Sequence, residues 1–86
     1  MIEKTLDERG TRYGEFADCA RISQTLKSYV AVELRNQGKT LTNTQREAME
    51  MILHKIARIV NGDPNYDDSW RDIAGYATLV VKDLGG

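Results

Sequence analysis

One short run, Asn61-Gly62-Asp63-Pro64, does most to limit what this chain can fold into. Asn and Gly tolerate the backbone that closes a helix, and Pro lacks the amide donor needed to continue one. The next residues, Asn65-Tyr66-Asp67-Asp68-Ser69-Trp70, open a new helix with Asp67 or Asp68 as its cap, acidic groups suited to the positive end of the dipole. A stop and a restart this close together lay the flanking helices side by side and antiparallel.

The rest of the chain fits that frame. Across residues 14–36, Phe16, Cys19, Ile22, Leu26, Tyr29, Val30 and Leu34 recur at helical spacing, and Gly38 is a natural stop. A second helix spans 43–61, capped by Thr42 with Gln45 three positions on in a capping-box pattern. Its apolar stripe is Met49, Ile52, Leu53, Ile56, Ile59 and Val60, and Glu47, Glu50, His54 and Arg58 make a polar stripe roughly opposite. A third helix over 67–84 turns Trp70, Ile73, Ala77, Val80, Val81 and Leu84 inward. Asp68, Asp72, Gly75 and Leu79 lie on its other face, where the glycine invites close approach by something else. Residues 2–8 fit a short helical turn closed by Gly10. The fold class is therefore all-α: a single-domain, three-helix antiparallel bundle.

An 86-residue chain buries such stripes only thinly, and small domains of this kind gain stability from disulfides, metal or self-association. The only cysteine, Cys19, excludes an intramolecular disulfide. We therefore expect homo-oligomerisation. The formal net charge of -1 argues against a nucleic-acid partner. No apolar run approaches the roughly 20 residues of a membrane span, and the charged N-terminus lacks a signal-peptide core, so the expected setting is the cytoplasm.

Candidate chemistry lies on the second and third helices. Glu47 and Glu50 are one turn apart on one, and Asp68 and Asp72 are one turn apart on the other. Two such pairs on antiparallel helices can hold a divalent cation, and Mg²⁺ prefers hard oxygen donors that a phosphate chain can complete. Lys55 and Arg58 are positioned to neutralise phosphate charge, and Gly10-Thr11-Arg12-Tyr13-Gly14 brings Arg12 and Tyr13 between two glycines toward the same kind of ligand. The plain alternatives are solvated carboxylates, a helix cap at Asp68 and a lead-in segment whose tyrosine covers the end of the bundle. His54 is the sole histidine and cannot build a His-rich zinc site, and Cys19 within the apolar stripe fits an inert thiol.

The blocks ERGTRYGEF, HKIARIVNGDPNYDDSW and RDIAGYATLV resemble a family of short phage and prophage proteins of unassigned function. More distantly, the layout resembles the MazG-like all-α nucleoside triphosphate pyrophosphohydrolases. That resemblance implies an ExxE pair and an ExxD pair on adjacent helices, Mg²⁺, and a dimer or tetramer. Glu47-Ala48-Met49-Glu50 matches the first motif. In the second, Ser69 stands three residues before Asp72, and Asp68, one further back, is the available substitute.

The leading expectation is an oligomeric phage-type protein that handles nucleotides through Mg²⁺. Glu47 and Glu50 would be catalytic, Glu47, Glu50, Asp68 and Asp72 metal ligands, and Arg12, Tyr13, Lys55 and Arg58 phosphate or base contacts. Two alternatives stand beside it: a non-catalytic nucleotide-binding module, and a protein-interaction module docking a helix on the Asp72–Gly75–Leu79 face.

Overall fold

In the computed structural model, which describes Gly10 and residues 12–86, three helices follow in order: Phe16–Asn36 (α1), Asn43–Asn61 (α2) and Asp67–Asp83 (α3). The all-α class and the helix limits agree with the sequence reading to within a residue or two. The turn expected over residues 2–8 lies outside the described residues.

Local chemistry sets the ends. Thr42 accepts from the Gln45 amide at 3.1 Å while the Gln45 side chain accepts from the Thr42 amide at 2.9 Å, so the capping box forms as expected. Gly38, at φ +66°, follows the end of α1, a conformation that a side chain would disfavour. The third helix differs from expectation. Tyr66 is its N-cap residue and no side chain caps it, whereas Asp67 already lies in the first turn and pairs with Arg71 at 2.9 Å.

Helix α2 packs against both α1 and α3, while α1 and α3 do not pack on each other. The bundle is therefore open, with α2 as the shared partner. That arrangement explains why both stripes of α2 are engaged, with Ala48, Lys55 and Ala57 buried and His54 and Arg58 half-buried. The buried positions of the described chain are small or polar: Cys19, Ser23, Ala48, Lys55, Ala57 and Ser69. Small residues at these positions let the helix backbones approach closely.

The face that α3 turns inward also differs from expectation. Ser69 is buried and Asp72, Ile73, Tyr76 and Val80 are half-buried. Trp70, expected inside, is 53% exposed and donates its indole N–H to the Pro64 carbonyl at 2.9 Å. The helix is rotated because Asp72 points toward α2, where it meets Lys55. What that rotation leaves outside is an apolar seam. Trp70, Ala74, Ala77, Val81 and Leu84 recur at intervals of four and three, and all five are exposed. This is the a/d spacing by which one helix packs along another. Apart from its own helix, none of the described residues comes within 4 Å of where a side chain at Gly75 would begin, so none of them makes the close approach expected there.

Candidate functional site

The residues singled out by sequence separate into two groups. Arg12, Tyr13 and Arg58 come together at the corner where the start of α1 meets the end of α2. Glu47, Glu50, Asp68 and Asp72 do not assemble.

The corner is built on backbone contacts. The Asp63 amide donates to the Arg12 carbonyl at 2.8 Å, and the Asn61 side-chain amide donates to the Tyr13 carbonyl at 2.9 Å and the Glu15 carbonyl at 3.1 Å. Two glycines make this fit possible. A side chain at Gly62 would run into the Arg12 carbonyl and the Tyr13 Cα, and Gly14, at φ +76°, lies against Asn61. The segment before α1 is thereby fastened to the turn after α2.

On that base sit two guanidinium–ring stacks. Arg58 lies 4.2 Å from the Tyr13 ring centre and Arg12 lies 4.4 Å from that of Tyr66, while the two rings approach to 6.1 Å at a 54° tilt. Stacking on an aromatic face fixes a guanidinium's plane and leaves its edge donors free for a planar or phosphate acceptor. Arg12 also meets Asp63 at 3.7 Å, a half-exposed pair of little intrinsic strength. Among the described residues no carboxylate pairs with Arg58 within 4.0 Å. Tyr66, Asn61 and Asp63 were missed as site residues; an aromatic following a Gly-Asp-Pro turn was the only available signal.

Positive charge continues along the α1–α2 seam. Burial first, then the charges of Arg58, Lys27 and Lys55, push the His54 imidazole below its usual value of 6.5, so it is neutral at pH 7. Burial raises the Cys19 thiol despite nearby Arg58, consistent with an inert side chain. Toward the α1–α2 turn lies an open groove of ≈ 460 Å³, with Lys27, Arg35, Lys39 and Arg46 around a floor that includes Leu34 and Met49.

The four carboxylates are kept apart by helix register. Lys55 Nζ is 2.8 Å from Asp72 Oδ2, which sets which turns of α2 and α3 face each other. Glu50 and Glu47 lie five and eight residues before Lys55, roughly 7.5 and 12 Å along the axis at 1.5 Å per residue. Glu50 instead lines the groove beside α1 and pairs with Arg46 at 3.7 Å, and Glu47 is exposed. Among the described residues no group of three or more His, Cys, Asp or Glu side chains could hold a metal ion. Lys55 is likewise not with Arg12, Tyr13 and Arg58 in the stacks; it is buried against α3.

A family described as a domain of unknown function, DUF6378, matches residues 2–83. Comparison with curated proteins and with solved structures gave no match.

Proposed function

The chain belongs to the DUF6378 family, and we propose, from its geometry, a self-associating helical module that binds a nucleotide or similar phosphate ester without hydrolysing it, and, from the sequence blocks alone, that it is of phage type. The observation that carries this reading is the double stack at the corner: two guanidiniums on two phenol rings, one of them with no carboxylate partner among the described residues. Such a surface offers planar donor edges to phosphate and aromatic faces to a base. Metal-assisted hydrolysis receives no support from the carboxylates of a single chain, because Lys55 and Arg46 already engage Asp72 and Glu50.

Calorimetric titration with ATP and the other common nucleotides tests the binding reading. We expect saturable binding with unchanged ligand, and a loss of about 10- to 100-fold in Arg58→Gln, the worth of one charge-assisted hydrogen bond. No binding of any nucleotide would end it. Magnesium-dependent release of pyrophosphate that Glu50→Gln abolishes would reinstate the enzymatic reading instead.

Self-association is supported by the outward seam of α3. Trp70, Val81 and Leu84 are 53%, 52% and 67% exposed, and Ala74 and Ala77 between them would allow a second helix close in. A second copy covering α3 would bury this seam. Light scattering should therefore give a multiple of the 9.7 kDa chain mass, and Val81→Glu should return the monomer. A wild-type protein that stays monomeric at high micromolar concentration would refute the seam.

A further inference from the structure

At the end of the layer away from the arginine–tyrosine corner, where α1 finishes and α2 begins, the two helices leave an open groove of ≈ 460 Å³. Its floor is aliphatic and includes Leu34, Leu41 and Met49, the last of them 37% exposed. Around that floor stand Lys27 and Arg35 on α1, Lys39 in the turn and Arg46 on α2. Glu50 is the one carboxylate in the lining. Its 3.7 Å pair with Arg46 joins two solvent-accessible side chains and is too weak to withhold Arg46 from another partner. Among the described residues no carboxylate comes within 4.0 Å of Lys27, Arg35 or Lys39. A chain of formal net charge -1 thus gathers four cations against one carboxylate around a single concave apolar surface.

The spacing of the rim and the chemistry of the floor select the occupant. Lys27 and Arg35 are eight residues apart on one helix, roughly 12 Å along its axis at 1.5 Å per residue. A single compact anion does not reach both. A ligand that engages the whole rim carries negative charge at several points along that length, with apolar groups between them. The groove lining contains no aromatic ring, so the bases of a nucleic-acid strand find no face to stack on. Leucine and methionine instead suit aliphatic side chains, methionine adapting its shape to what it meets. An amphipathic helix answers both demands: apolar residues at i, i+4 and i+7 span roughly 10 Å, with carboxylates on either flank.

We propose that the α1–α2 groove docks an acidic amphipathic helix of a protein partner. Its apolar side lies on Leu34 and Met49, and its flanking Asp or Glu side chains meet Lys27, Arg35, Lys39 and Arg46. Aliphatic contact holds the helix, and the charged rim decides which helices are accepted. The groove and the stacked corner occupy opposite ends of α1 and α2, so this docking does not depend on the nucleotide reading.

Two labelled model peptides test this on the full chain. Each is a helix of about 16 residues with Leu at i, i+4 and i+7, flanked by Glu in one and by Lys in the other. Fluorescence polarisation is expected to show saturable binding of the Glu peptide at low salt, weakened about tenfold by 0.5 M NaCl, and none of the Lys peptide. Arg35→Glu combined with Lys39→Glu, both at exposed positions, should weaken the Glu peptide at least about tenfold and acquire the Lys peptide. Absence of saturable binding by the Glu peptide overturns the proposal, as does equal binding of both peptides by the wild type, which would be apolar adhesion without charge recognition. Displacement of the Glu peptide by ATP or by oligo-dT would assign the groove to phosphate ligands instead. If the double variant lowers the mass seen by light scattering to that of one chain, the groove is filled by a second copy and not by a partner.

Discussion

Asp72→Ala is expected to destabilise the protein by about 2–3 kcal/mol, whereas Lys55→Met at the other end of the same ion pair should cost less than about 1 kcal/mol. The asymmetry follows from where the two groups sit. The Lys55 side chain is 10% accessible and that of Asp72 is 40% accessible. Removing the carboxylate leaves an ammonium covered by helix packing with no partner, which is costly in any low-dielectric site. Removing the ammonium leaves a carboxylate that water reaches directly, while methionine refills the volume the lysine stem occupied. The figure for Asp72→Ala lies below the full range for breaking a buried pair because one partner is half in solvent. Urea denaturation at a fixed protomer concentration measures both, since self-association would otherwise shift the midpoints. Equal losses for the two variants would show that packing, and not the stranded charge, governs the seam.

That contact also marks where the sequence stopped being informative. Helix limits were legible because their causes are local: Thr42 and Gln45 three positions apart, Gly38 after α1, and Asn61-Gly62-Asp63-Pro64 after α2. The pairing of turns between helices was not legible. Apolar periodicity identifies a stripe but is nearly indifferent to sliding one helix along another by a turn or two, so it could not decide whether Glu50 or Lys55 faces Asp72. A lysine is seldom buried, and periodicity gave no reason to expect one inside. Once Asp72 turns inward to meet it, Trp70 must turn outward, which is why the expected inner face of α3 was rotated.

The candidate site divides the same way. Arg12 and Tyr13 were legible because two glycines bracket them, and Arg58 because it continued a polar stripe toward the helix end. Their convergence depends on the side-chain amide of Asn61 bridging two carbonyls 46 and 48 residues away in sequence. No local pattern announces a bond of that span. Tyr66 went unnoticed for a related reason: its role is to receive Arg12, which is fixed only after the two backbones have docked.

Docking of those backbones leads to the second large effect. Gly62→Ala should destabilise by about 3 kcal/mol, near the top of the range for overpacking, and lower the melting temperature by on the order of 15 °C. Its φ of -123° is open to any residue, so left-handed strain is not the cause. The obstruction is positional: a Cβ there would lie 2.5 Å from the Tyr13 Cα and 2.7 Å from the Arg12 carbonyl carbon. Both are main-chain atoms and cannot rotate aside as a flexible side chain would. The segment carrying Arg12 and Tyr13 would have to lift away, breaking the bond from the Asp63 amide to the Arg12 carbonyl and separating Arg58 from the Tyr13 ring. Gly38→Ala is the matched control. It carries the cost of a left-handed backbone at φ +66° but meets nothing within 4 Å, so about 1 kcal/mol is expected, with ATP binding unchanged. Calorimetric melting together with ATP titration separates the two variants. If Gly62→Ala melts like wild type and still binds ATP, the corner does not depend on this approach, and the stacked arginines cannot owe their position to it.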